Sequence, residues 1–286
     1  MGQDKMKENV EYPSFSVLMS VYEKENAAYF SAALNSIEAQ TVPPTEIILV
    51  EDGPLGIDLS RIIKKYKEIW GSRLKVIKIS KNGGLGSALK LGTKYVTTNW
   101  IARMDTDDIC VPDRFEIQLK EINRHPDYAI IGGQIDEFVN ETNNIVGNRI
   151  VPLEEKDIYK FIKYRNPFNH PTVMINKKKL LEVGGYQPTD RLEDYNLWVQ
   201  FVKNNYHVEN LNKVLVHMRV NSGIYKRRGG FKYLMNYVRM KNKWRRQGIG
   251  DYKTVLFSDM LMTMNVAVPQ GVRKVLYRKI LHNKRL

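Results

Sequence analysis

Apolar runs of strand length alternate with helical patterns through the first hundred residues, and that alternation leaves few folds open. Phe15-Ser-Val-Leu-Met-Ser-Val21, Glu46-Ile-Ile-Leu-Val-Glu51 and Leu74-Lys-Val-Ile-Lys-Ile79 are the runs. Between them, residues 26–40 carry Phe30, Leu34 and Ile37 at helical spacing, and a second stretch carries Leu59, Ile62, Ile63 and Tyr66. A third helix follows Asn82-Gly-Gly-Leu-Gly86 to about Val96, and a fourth strand is expected over 100–104. Such alternation predicts a parallel sheet covered by helices on both faces. Ligands of these sheets bind at the carboxyl ends of strands. After a helix over 112–125 and a strand near Tyr128–Gly133 the rhythm breaks. Residues 134–150 read as irregular β structure, 154–165 as a helix, and Asn166–Met174 as a loop entering a strand. Gly184-Gly-Tyr186 ends one helix and Arg191-Leu-Glu-Asp-Tyr-Asn-Leu-Trp198 starts another.

The fourth strand runs into Asp105, Asp107 and Asp108, and Pro112-Asp113 then opens a helix, as proline and an acid in a first turn favour. Carboxylates this close repel one another and call for a cation. An oxygen-only set suits Mg²⁺ or Mn²⁺ better than zinc, with water and substrate phosphates as further ligands. An acidic turn that only caps a helix has the same composition; the position at a strand end favours a site. Asp52, in Asp52-Gly53-Pro54, lies at a second strand end. The Asn82–Gly86 loop completes neither a P-loop nor G-x-G-x-x-G. It is either a tight turn or backbone that approaches a nucleotide or sugar, with a helix N-terminus facing an anion. Glu193 and Asp194 fit the first turn of a helix on electrostatic grounds alone.

The chain has 286 residues and one cysteine, Cys110, so it can form no internal disulfide and fits a reducing compartment. No signal-like apolar core opens it, and no run approaches the roughly 18 apolar residues of a spanning helix. A cytoplasmic protein is expected. The formal charge of +14 arises from residue 226 onward, where 16 Lys and Arg face only Asp251 and Asp259. Such a cationic segment suggests an anionic partner, membrane or nucleic acid. Tyr233, Tyr237 and Trp244 among those charges would suit nucleic acid, but that reading leaves the acidic cluster unexplained. A nucleotidyltransferase would account for a carboxylate-bound ion. It usually has a glycine-rich, arginine-containing loop after the first strand, where this chain has Ser20-Val-Tyr-Glu-Lys-Glu25.

Taken in order, several stretches resemble the family 2 glycosyltransferases with their GT-A fold. They are Ser16–Tyr22, Ser36-Ile-Glu-Ala-Gln-Thr41, Val50-Glu-Asp-Gly53, Asn82-x-Gly84, Met104-Asp-Thr-Asp-Asp-Ile109 with Pro112-Asp-Arg114, and Gly184-Gly-Tyr186 before Glu193–Trp198. They span roughly residues 14–200. Val50–Leu55, Asn166-Pro-Phe-Asn-His-Pro171 and Tyr225-Lys-Arg-Arg-Gly-Gly230 look most like bacterial enzymes of capsular and exopolysaccharide assembly, the amylovoran-type branch. The resemblance implies an N-terminal tail (1–13), a GT-A catalytic domain (14–225; donor half about 14–110, acceptor half about 111–225) and a basic helical extension (226–286).

It also implies roles. Ser20, Tyr22, Glu23, Asp52, Asn82, Gly84, Arg103 and Asp105 would bind a nucleotide-sugar, with Tyr22 against the base and Asp52 accepting from the base's polar edge. Asp105, Asp107 and Asp108 would serve Mn²⁺ or Mg²⁺, with Asp107 the principal ligand. Asp194 would be the base that deprotonates the acceptor hydroxyl, and Glu193 would orient it. The implied activity is inverting transfer from a UDP-sugar to a saccharide or lipid-linked acceptor in surface polysaccharide synthesis. Two departures stand out. Glu23 replaces a frequent Asn, and His217-Met-Arg-Val-Asn221 has Asn where the family often has a metal-side His, leaving His217 and Arg219 as candidates for that role. His170 reads mainly as structural or acceptor-side. The basic segment, with Arg273, Lys274, Arg278 and Lys279 among apolar residues over 272–281, is expected to hold the enzyme peripherally on the inner face of the membrane, without nucleic acid.

Overall fold

The computed structural model describes residues 11–189, 191–220 and 230–267. The first half alternates as expected: β1 (Phe15–Val21), α1 (Ala27–Glu38), β2 (Glu46–Asp52), α2 (Ile57–Trp70), β3 (Leu74–Ile79), α3 (Leu85–Thr93) and β4 (Trp100–Arg103). Strand β1 pairs in parallel with β2 and β4, and β2 with β3. Then come β5 (Ile109–Cys110), α4 (Arg114–Arg124), β6 (Ile130–Phe138), β7 (Ile145–Arg149), α5 (Glu155–Phe161), β8 (Met174–Asn176), α6 (Lys177–Glu182), α7 (Glu193–Lys203) and β9 (Val208–Arg219). These strands continue the same sheet, in the order β3-β2-β1-β4-β8-β6-β9-β5 with β7 on β6. The sheet is mixed rather than wholly parallel: β8 runs antiparallel to β4 and β6, and β5 antiparallel to β9.

Strands β1, β2 and β4 read as apolar runs because both faces are buried. Val17, Met19 and Leu49 pack toward α1, α2 and α4, whereas Leu18, Ile48 and Ile101 pack toward α3 and α7. Asn26 starts α1 by accepting from the amides of Ala28 and Tyr29, an N-cap in the usual sense. Helix α3 lies close on the sheet because its Gly92 has no side chain.

Two further helices, α8 (Phe231–Arg246) and α9 (Tyr252–Ala267), follow. The first is part of the body. Tyr237, Met240 and Trp244 join the core of the α7 face. The Trp244 indole N–H donates to Asn196 Oδ1 at 3.0 Å, and its ring lies 4.5 Å from that of Tyr195. Among the described residues no helix is long and apolar enough to cross a membrane. The basic pattern over 272–281 lies outside them.

A Cβ on Gly92 would meet Leu18 Cδ1 at 2.5 Å and Val50 Cγ2 at 2.9 Å. Gly92→Val should therefore destabilise the protein by about 2 kcal/mol or more, because overpacking against a filled sheet outweighs any gain in helix propensity. Urea unfolding midpoints check this; an unchanged midpoint would show that α3 is free to lift off the sheet.

Candidate active site

Strands β2 and β4 end at the same edge, and one cavity of about 1070 Å³ opens there. Asp52, Asp105, Asp107, Asp108, Glu193 and Asp194 all line it, so residues far apart in sequence share one space. Ser20, Tyr22, Asn82 and Gly84 line it as well.

Asp52 is 3% exposed, and its carboxylate accepts from the amides of Gly83 (2.8 Å) and Gly84 (3.0 Å). Its own carbonyl accepts from Asn82 Nδ2 at 3.0 Å. The glycine loop is thus a turn closed on an internal anion, with Gly53 (φ 93°) and Gly84 (φ 83°) in backbone that other residues rarely adopt. Helix α3 then leads to Gly86, where a Cβ would meet the Gln187 carbonyl at 2.8 Å and Glu193 Cβ at 3.1 Å. That close approach joins the strand-end side of the cavity to the start of α7.

The acidic turn rests on buried guanidinium groups. Arg103, 1% exposed, pairs with Asp105 and donates to the Met104 carbonyl. It does not line the cavity, so its expected contact with the nucleotide-sugar is replaced by a role through Asp105. The Asp108 carboxyl is 2% exposed and accepts from the Arg219 amide at 2.9 Å. Burial, reinforced by Asp107 and Asp105, holds its pKa well above the ordinary carboxylate value.

Among the described residues, no three His, Cys, Asp or Glu side chains converge to hold a metal by themselves. The arrangement fits an ion of the Mg²⁺ type, which takes one or two carboxylates and completes its shell with phosphate and water. The crowding of negative charge at Asp108 is what such a cation would relieve. His217 is not among the cavity residues. It is half-buried on β9 opposite Ile109, its Nδ1 lacks a hydrogen-bond partner, and burial lowers its pKa. Arg219 reaches the site instead: its Nε donates to the Asp107 carbonyl at 3.2 Å, and its guanidinium lies 3.9 Å from the Tyr29 ring centroid.

Glu23 is exposed and outside the cavity lining; Glu25 takes that place, accepting from Thr106 Oγ1 at 2.8 Å. Sequence reasoning passed over Glu137 with Arg149 (2.8 Å), and it named the Asn166–Pro171 stretch without giving Asn166 a role. The local pattern around Glu137 and Arg149 carries no signal, because sheet register brings them in.

On the opposite wall, Asp194 Oδ2 accepts from Asn166 Nδ2 and Oδ1 from the Tyr195 amide, both at 2.7 Å. Burial, and then the Asp194 charge, push Glu193 from 4.5 up to about 7. Both carboxyls line the same wall of the cavity, and it is Glu193 that burial affects. His170 contacts the Tyr186 hydroxyl at 3.0 Å; burial, with Arg103 adding to it, lowers its pKa to about 4, so it stands neutral. Beyond it, Phe161, Tyr164, Arg165, Lys232, Tyr233 and Met262 give the cavity an aromatic and basic end.

A Rossmann-like sheet with acids at two strand ends, continued by antiparallel strands and facing a carboxylate pair, is the architecture of a GT-A glycosyltransferase. The family model described as "Glycosyl transferase family 2" matches residues 16–185, and the chain belongs to that family. It is 35% identical over 266 residues to the amylovoran biosynthesis glycosyltransferase AmsE of Erwinia amylovora, covering 93% of this chain and 98% of that one. It is 32% identical over 269 residues to the UDP-Gal:alpha-D-GlcNAc-diphosphoundecaprenol beta-1,3-galactosyltransferase of Escherichia coli (94% and 97% covered). Among solved structures, the mannosyltransferase PcManGT of Pyrobaculum calidifontis, in complex with GDP-Man and Mn²⁺, superposes with a TM-score of 0.65 at 14% identity (96% and 77% covered).

The raised Glu193 pKa gives a pH test. The folded chain binds this proton more tightly than the unfolded chain, so the carboxyl costs nothing at low pH and destabilises progressively from about 4.5 to 7. Glu193→Gln should match the wild type near pH 5 and exceed its stability near pH 8, by on the order of 2 kcal/mol. Thermal melts at the two pH values decide it. A gap that does not widen with pH would mean that Glu193 ionises like a surface carboxylate.

Proposed function

We propose that the protein transfers a sugar, with inversion, from a UDP-sugar to a hydroxyl of a saccharide or lipid-linked saccharide during surface polysaccharide synthesis. The observation that carries this is the single cavity in which strand-end acids face the Glu193–Asp194 pair. The named relatives support the donor and acceptor class: one is an amylovoran enzyme, and the other uses UDP-Gal and a diphosphoundecaprenol-linked acceptor.

In this reading Tyr22 lies along the base, and Ser20, Asp52, Asn82 and Gly84 shape its pocket, with Asp52 acting chiefly by fixing the loop. Asp105, held by Arg103, meets the ribose or the metal side. Asp107, with Asp105 and Asp108, would hold Mn²⁺ or Mg²⁺, and the ion would supply Lewis-acid stabilisation of the diphosphate. Asp194 accepts the proton of the acceptor hydroxyl, whose oxygen bonds to the anomeric carbon while the bond to the diphosphate breaks on the opposite face. Asn166 aims the carboxylate, and burial that raises the Glu193 pKa to about 7 reduces the second negative charge beside it. Peripheral contact with the inner face of the membrane, through the basic C-terminal segment, brings in a lipid-linked acceptor.

A screen of nucleotide sugars with Mn²⁺, reading released nucleotide diphosphate, tests the class of donor. Asp194→Asn should lower transfer by roughly 10²–10⁴-fold with nucleotide diphosphate affinity kept, the usual range for a positioned base. Asp107→Asn should abolish transfer at every Mn²⁺ concentration and weaken nucleotide diphosphate binding measured by calorimetry. Loss of diphosphate binding in Asp194→Asn, or near-normal turnover in Asp107→Asn, would reverse the two assignments.

A further inference from the structure

Helix α9 exposes an apolar face that nothing in the described structure covers. Tyr252 (74% exposed), Leu256 (72%), Met260 (50%) and Met264 (58%) recur every four residues, with Leu261 beside them. Positions four apart stack on one side of a helix, so these side chains form a continuous ridge. Lys253 is the one charged residue on that exposed side, since Asp259 is half-buried toward the Lys241 side of the helix. The opposite side is anchored. Val255 and Ser258 are buried, the Tyr164 and Phe257 rings meet edge-on at 6.1 Å, and Met262 lines the cavity.

Helix α9 therefore has Met262 on its inner side at the aromatic and basic end of the cavity and the ridge on its outer side. Its surroundings are cationic: Arg245 stacks on Tyr252 at 3.8 Å, and Lys243 and Arg246 of α8 are exposed. A second copy of this chain on the ridge would bring like charges together. An anionic surface would not, and an exposed apolar patch of this extent marks a contact site.

We infer that the α9 ridge inserts into the headgroup region of an anionic lipid bilayer, with the exposed Lys243, Arg246 and Lys253 on the lipid phosphates, so that the cavity mouth opens at the membrane surface. This rests on the proposed transfer to a membrane-presented acceptor, and it names apolar insertion through α9, in addition to charge, as what holds the enzyme there. A lipid-linked sugar then enters from the bilayer side, past Met262 and Tyr233, while the donor enters from water.

The test uses the full chain. Sedimentation with phosphatidylglycerol-containing vesicles should exceed that with phosphatidylcholine alone. The combined variant Leu256→Asn, Met260→Asn, Met264→Asn should lose roughly tenfold or more of that binding, as removal of an inserted apolar face requires. UDP affinity by calorimetry should stay at the wild-type value, since these residues are exposed and away from the strand ends. In Leu256→Trp, the introduced indole should be quenched by brominated lipid. Wild-type binding in the combined variant, an unquenched indole, or no vesicle binding by the wild type would each overturn the inference. A wild-type dimer that the combined variant dissociates, without vesicle binding, would also overturn it, in favour of a second copy as the occupant. Failure of UDP to bind the wild type would count against the proposed activity and leave the vesicle result readable.

Discussion

Two buried guanidinium groups beneath the acidic turn set the geometry on which the rest of the site depends. Arg114 is fully buried, and its Nη2 donates to the Arg103 carbonyl at 2.8 Å. Its Nε donates to Gln118, which in turn reaches the carbonyls of Ile131 and Thr172. Arg103 then presents Asp105. Two cations are taken out of water here, which is costly unless anions and carbonyls surround them. Asp105 meets that requirement for Arg103, and the Arg103 carbonyl and Gln118 meet it for Arg114, so the acidic turn also stabilises the strand end beneath it. Helix α4, β6 and the His170–Thr172 turn are tied into the same network, and the end of β4 cannot shift without them.

The parts legible in the sequence are those whose signal is local. β1, β2 and β4 show as apolar runs because both faces are buried, β3 shows by alternation at the sheet edge, and Asp52 and the Asp105–Asp108 turn show as acids at strand ends. What escaped is set by pairing across distance. β9 contains Glu209, Asn210, Asn212 and Lys213, so its twelve residues do not look like a strand, yet it pairs along the whole of β6. β5 has two residues and exists only because β9 runs beside it. The same cause accounts for the site residues that moved. Glu23 and Glu25 cannot be ranked without the turn after β1, Arg103 looks like a cavity residue until its strand proves buried, and His217 yields to Arg219 through a difference of two positions on β9.

The cavity has two chemically distinct ends. Carboxylates gather where the sheet strands finish, and arginine, lysine and tyrosine gather where α5 and α8 pass. The Gly86–Glu193 approach fixes the distance between them, because neither helix can retreat without opening a gap in the wall. Asp52 serves this arrangement indirectly: by holding the Gly83 and Gly84 amides, it places the start of α3 and hence the face that α7 meets.

Helix α8 packs on the body and holds the helix that carries Glu193 and Asp194. Trp244 bonds to Asn196, and the Lys241 ammonium, lowered to about 8 by burial, caps the Lys163 carbonyl and reaches the Tyr195 hydroxyl at 3.2 Å. During synthesis β1 to β4 emerge first, while α7 waits for a brace more than thirty residues downstream. The wall of the cavity that carries Glu193 and Asp194 is thus completed after the strand ends it faces.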